Sequence, residues 1–155
     1  MRLNKRILMV AVALCAAIAC ATSPSGATAV TAIRATTSFG FCLGYCRTTL
    51  EITEAGITYI EEAPRGDLPA VRRTAALSSS EWEALVDAVD RRAIEALPET
   101  IGCPDCADGG AESLEVTGAD WRKGVTFEHG ATIPQLQPLL SRVRTLRTRF
   151  PPTPR

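Results

Sequence analysis

The chain has one histidine in 155 residues, no excess of charge of either sign and no apolar run long enough to cross a bilayer. Basic and acidic residues number 17 each, so the basic footprint of a nucleic-acid binder is missing, and no lysine-rich patch offers itself to anionic headgroups. The histidine, His129, falls at the end of an expected hairpin and reads as a surface or turn residue rather than a general base. No serine accompanies it in a nucleophile-elbow context, which argues against a hydrolase triad. The uncharged apolar run over residues 7–19 has 13 residues, short of the roughly 20 that span a hydrocarbon core. Preceded by Arg2, Lys5 and Arg6, it has the layout of a secretory signal peptide. Loss of those three cations leaves 14 basic against 17 acidic residues, a net charge of −3.

The leader ends ambiguously. Ala17-Ile18-Ala19 fits a small-x-small cleavage site. Followed by Cys20 it also resembles the bacterial lipoprotein box, in which the cysteine is lipidated and becomes the mature N-terminus. Ala17 departs from that pattern, which usually has a larger aliphatic residue there. Cys15 belongs to the apolar run. The expected layout is a lipoprotein-like signal peptide over 1–20, a flexible tether over 21–30, one domain over 31–150 and a disordered tail over 151–155, where three prolines remove backbone donors. Without lipid on Cys20 the protein would be periplasmic or extracellular.

Within the domain, Thr48, Leu50 and Ile52 alternate with Thr49, Glu51 and Thr53, the pattern of a strand with one wet face. Glu54-Ala55-Gly56 turns the chain into a return strand over 57–60. Residues 29–37 and 70–77 are further strands. Ser80 and Glu83 match a capping box, and Trp82, Leu85, Val86, Val89 and Ala93 then share one helical face, up to Pro98. A second hairpin places Leu114 and Val116 against Val125 and Phe127. Thr132 to Gln135 suggests another capping box before a helix carrying Leu136, Leu139, Leu140, Val143, Leu146 and Phe150. The predicted fold is α+β: an antiparallel sheet of five to six strands with two helices on one face, in the order β-β-β-β-α-β-β-α.

Four cysteines dominate what remains: Cys42 and Cys46 in FGFCLGYC, and Cys103 and Cys106 in GCPDCADGG. In an oxidising compartment such pairs are a disulfide framework; in a reducing one they are a zinc site or a redox dithiol. Local bridges close short loops and contribute about 2 kcal/mol each, whereas crossed bridges close a loop of about sixty residues and contribute about 4 kcal/mol. Loop entropy favours crossing, and the flanking glycines permit local bridges. A four-cysteine zinc site on Cys42, Cys46, Cys103 and Cys106 is one alternative. A thiol-disulfide redox protein using Cys103-Pro104-Asp105-Cys106 is the other, although a strand follows where such motifs have a helix N-terminus.

The Gly-x-Cys-x-Gly-x-Cys opening, LSSSEWEALVDAV, CPDCADGGAESLEV and VTFEHG together resemble a family of small exported bacterial domains to which no activity is attached. The resemblance covers nearly the whole mature domain. It departs at Arg47 and Thr49, where many relatives have Pro and Tyr, which marks a divergent branch. It implies export, the same strand and helix order, and pairing within each motif, Cys42 with Cys46 and Cys103 with Cys106.

Other groups offer less. Asp105, Asp108 and Glu112 could gather a Ca²⁺ ion, but their spacing matches no EF-hand loop. Arg142, Arg144, Arg147 and Arg149 read as cations that complement the helix C-terminus and keep a solvent face wet. Trp82 and Trp121 read as packing residues. The expectation is a monomeric, non-enzymatic binding module of the cell envelope, disulfide-stabilised and without a cofactor. Its partner is a protein or small molecule, and it meets the membrane only through the lipid on Cys20.

Overall fold

The computed structural model describes residues 29–153. The segments expected as signal peptide and tether, with Cys20, lie outside the described residues up to residue 28, as do residues 154 and 155. Strand β1 (Val30–Ser38) enters the middle of a sheet. Strands β2 (Arg47–Thr53), β3 (Gly56–Glu62) and β4 (Val71–Ala75) extend it on one side as a meander. Strands β6 (Ala111–Gly118), β7 (Arg122–Glu128) and the two-residue β5 (Thr100–Ile101) extend it on the other, in the order β4-β3-β2-β1-β6-β7-β5. The helices are α1 (Ser79–Asp87), α2 (Arg91–Glu95) and α3 (Gln137–Arg147), and a 3₁₀ turn spans Cys106–Asp108.

Alternation sets the core. Ala35 lies opposite Leu50 on one side and Leu114 on the other, Leu50 opposite Tyr59, and Leu114 opposite Val125. One inward position back along β1, Ile33 lies between Ile52 and Val116. These residues form one buried cluster with Trp82 and Leu85 of α1, Ile94 of α2, and Leu139, Leu140, Val143 and Leu146 of α3. Among the described residues the buried cluster runs from Ile33 to Phe150, so this segment carries a core of its own. The other face of the sheet is polar, with Arg34, Thr36, Glu51, Ser113 and Glu115 in register across β2, β1 and β6. Thr36 and Thr49 hydroxyls meet there at 3.1 Å.

The predicted architecture needs correcting in three respects. First, the sheet has seven strands and is mixed, because β5 runs parallel to β7, pairing Thr100 with Thr126 and Ile101 with Phe127. Two residues are too few to show a period, so their strand character comes from the free edge of β7, to which Glu99 also contributes a carbonyl for the Thr126 N–H at 2.8 Å. Second, the helix expected from Ser80 to Pro98 is two helices. Asp90 leaves the helical conformation and accepts from the Ala93 N–H at 3.0 Å, capping a new helix in mid-pattern. The order is therefore β-β-β-β-α-α-β-β-β-α, with three helices rather than two.

Third, both caps move. Ser78, not Ser80, caps α1: its hydroxyl accepts from the Glu81 N–H at 3.3 Å and its own N–H donates to the Glu81 carboxylate at 2.9 Å. The motif fits both serines, and a tertiary contact separates them, since Glu81 also receives the Arg149 guanidinium. The Ser78 amide and that guanidinium hold Glu81 at about 2, below the usual 4.5. Helix α3 starts after Leu136 with no side-chain cap and with Pro138 in its first turn, where its missing N–H costs nothing.

Ser78→Ala should lower stability by about 1 kcal/mol in chemical denaturation. Ser80→Ala should stay within about 0.5 kcal/mol of wild type.

Candidate functional site

Because β1 pairs with β6 antiparallel, Ser38 at the end of β1 lies beside Ala111 at the start of β6. The loop leaving β1 and the loop entering β6 therefore share one pole of the sheet, and each carries one cysteine pair. In the first, the Phe39 N–H donates to the Cys46 carbonyl at 3.0 Å, continuing the hairpin one step past the strands. Cys42 and Cys46 then close the tip as a disulfide, with Cα atoms 5.7 Å apart. The Tyr45 hydroxyl ties this loop to the Pro69 carbonyl at 3.0 Å.

In the second loop Cys103 and Cys106 form a disulfide with Cα atoms 5.5 Å apart. Asp105 anchors it twice, its N–H donating to the Gly110 carbonyl at 3.0 Å and its carboxylate accepting from the Gly110 N–H at 3.1 Å. The Cys103 N–H donates to the Glu128 carboxylate at 3.1 Å. Asp105, Ala107 and Asp108 all have positive φ, at 60°, 51° and 58°, a conformation that costs non-glycine residues free energy and that the surrounding bonds enforce.

The two loops touch. A side chain on Gly40 would collide with the Asp105 carboxylate, and one on Gly110 with the Phe39 ring, so both glycines are needed for the close approach. Phe39 also packs on the His129 ring, centroids 5.0 Å apart. Between the loops lies a cleft of about 230 Å³ bordered by Phe39, Gly40, Cys42, Arg47, Arg65 and Asp105. Beyond it Phe41 and Leu43 stand out, 80 % and 84 % exposed, while Cys46 is 5 % exposed.

No family model matches the chain, and no curated protein matches it.

The four sequence-selected cysteines thus meet at one pole, each bonded within its own motif, and sulfurs so bonded are not thiolate ligands for zinc. Among the described residues no group of three or more His, Cys, Asp or Glu is placed to hold a metal ion. The carboxylates considered for Ca²⁺ do not converge: Asp105 serves Gly110, and Glu112 accepts from Arg144 at 2.9 Å and from the Gly130 N–H at 3.2 Å. His129 is partly exposed, with Nε2 3.8 Å from Glu112.

The arginines of the last helix do something the sequence reading missed. Arg144 bonds Glu112 on β6. Arg147 reaches the Thr48 hydroxyl at 2.5 Å and the Ala35 carbonyl at 3.1 Å, and Arg149 reaches Glu81 and the Ala76 carbonyl. Arg144 and Arg147 fasten α3 to the sheet, and Arg149, just past the helix and still 37 % exposed, reaches α1, while Arg142 stays on the solvent face as expected. Burial pushes the Arg147 guanidinium below its ordinary pKa.

A second polar centre lies under the C-terminus. Glu61, 2 % exposed, accepts from Arg73 at 2.9 Å, from the Tyr59 hydroxyl at 3.4 Å, and from the N–H (3.2 Å) and hydroxyl of Thr153. Arg73 also donates to the Pro151 carbonyl at 2.6 Å, and Phe150 stacks on Tyr59, 5.0 Å between centroids. The segment expected as an unstructured tail therefore has fixed contacts through Thr153. Burial, reinforced by the Glu61 charge, pushes the Tyr59 phenol above 10.0. The sequence did carry a signal: Glu61 continues the inward phase of Ile57 and Tyr59.

Under native conditions a mild dithiol should open the exposed Cys103–Cys106 bridge before the Cys42–Cys46 bridge, whose Cys46 is buried; alkylation and mass mapping at successive times read the order. Glu61→Ala, which strands a partly buried arginine, should cost about 3–5 kcal/mol in denaturant unfolding.

Proposed function

We propose that the chain is an exported protein of the cell envelope, a non-enzymatic binding module held to the membrane by lipid on Cys20 and stabilised by its two disulfides. The observation that carries the reading is the pole at which both cystine loops meet. Bridges this short contribute only about 2 kcal/mol each by loop entropy, while the cluster from Ile33 to Phe150 supplies the core. Their larger effect is to fix the shape of a surface that would otherwise be two glycine-rich loops, and a fixed surface binds at lower entropic cost. Local disulfides on an exposed surface also suit an oxidising compartment, in keeping with the signal-like leader. We further propose that the chain is a divergent member of the family sharing the Gly-x-Cys-x-Gly-x-Cys opening.

A second reading, thiol-disulfide exchange at Cys103–Cys106, draws support from the exposure of this bridge. Against it, the residues after Cys106 form a distorted 3₁₀ turn rather than the N-terminus of an α-helix that would lower a thiol pKa.

Mass spectrometry of the natively exported protein, with and without alkylation, tests the proposal. It should show an acyl mass on an N-terminal Cys20 and no alkylatable thiol among Cys42, Cys46, Cys103 and Cys106. Four alkylatable thiols, or an unmodified Cys20 inside an intact leader, would overturn it.

A further inference from the structure

Phe41 and Leu43 are anomalous in this molecule. They flank Cys42 at 80 % and 84 % exposure, well above the other exposed large apolar side chains among the described residues, Phe39 at 37 % and, in the neighbouring loop that Tyr45 grips, Leu68 at 50 %. A disulfide fixes the tip that carries them. We propose that this tip is a bilayer-docking loop, in which Phe41 and Leu43 enter the lipid interface while Arg47 and Arg65 at its base meet the phosphates of anionic phospholipids.

Three features select a bilayer as the occupant. The apolar residues sit on a protruding tip, a shape that a fluid acyl layer accommodates without a matching pocket. At the base, Arg47 and Arg65 border the cleft of about 230 Å³, and no carboxylate among the described residues pairs with either. Arginine stems can lie along apolar surface while the guanidinium stays at headgroup level. Tyr45, between tip and base, is a residue type favoured at that depth. The sequence showed no basic run here because the two arginines are 18 positions apart, and the fold brings them together. Asp105 borders the same cleft, Glu62 stands opposite Arg47 across the β2–β3 pair and Asp67 follows Arg65 by two positions, so the charge term is modest and the apolar tip supplies most of the binding.

Reach is compatible with the lipid anchor. The nine residues between Cys20 and Val30 span at most about 30 Å when extended, and β1, also nine residues, covers about 30 Å from its start to the docking loop. A domain lying along the membrane could therefore touch it at both ends.

The inference rests on reading the domain as a binding module, and its test is separate from the mass measurement above. Residues 29–155, which contain the buried cluster of the described residues and lack Cys20, are purified oxidised and sedimented with vesicles of phosphatidylcholine alone or with about a quarter phosphatidylglycerol. Wild-type protein should bind the mixed vesicles, and binding should fall several-fold on phosphatidylcholine alone. A double variant, Phe41→Ser with Leu43→Ser, should bind about tenfold more weakly; both side chains are exposed, so its thermal midpoint should match wild type and report intact folding. A second double variant, Arg47→Gln with Arg65→Gln, should bind the two vesicle types alike. Wild-type protein that stays in the supernatant with both vesicles, or a tip variant that sediments like wild type, would overturn the bilayer as the partner and leave the thiol and Cys20 measurements untouched.

Discussion

The structure depends on the pairing of β1 with both β2 and β6. That register sets Ile33 and Ala35 between Ile52 and Leu50 on one side and Val116 and Leu114 on the other, and so fixes the inward face on which all three helices bury their apolar residues. A slip of one residue would turn that face to water and bring Arg34 and Thr36 inward. The same pairing aligns the end of β1 with the start of β6. Two cysteine motifs about sixty residues apart in sequence become one surface for that reason.

Polar fasteners complete what burial begins. The apolar face of α3 would hold it against the sheet at several neighbouring positions. Arg144 on Glu112, Arg147 on Thr48 and the Ala35 carbonyl, and Arg149 on Glu81 select one of them. Glu61 plays the same part for the last residues of the chain, satisfied by donors from β3, β4 and Thr153. The deeply buried ones among these charged groups, Glu61 and Arg147, survive because they are bonded. They give the fold specificity as much as stability.

The cystines work at a different scale. Each bridges residues three or four apart, so neither joins one element to another. Crossed pairing would close a longer loop and contribute more by loop entropy. The fold favours local bonding because each motif is its own tight turn, the first closed by Phe39 with Cys46 and the second by Asp105 with Gly110. What this stiffness preserves is the shape of an exposed pole, where Phe41 and Leu43 stand clear of the core.

The strands β1 to β4, β6 and β7 and the apolar faces of α1 and α3 were legible in the sequence, because two-residue alternation, β-branched residues and 3.6-residue spacing record burial. So were the four cysteines, since their spacing is local. The break at Asp90 was hidden because apolar spacing continued across it, and β5 because two residues carry no period. The choice of Ser78 over Ser80 turned on Arg149, which lies 68 positions from Glu81. The sequence by itself determined which residues want to be buried and which turns can close. Only the tertiary structure decided which partners meet: Arg147 with the Ala35 carbonyl, Glu61 with Thr153, one cystine loop with the other. Such contacts join residues as much as 112 positions apart, and they exist only once the sheet has set their distance.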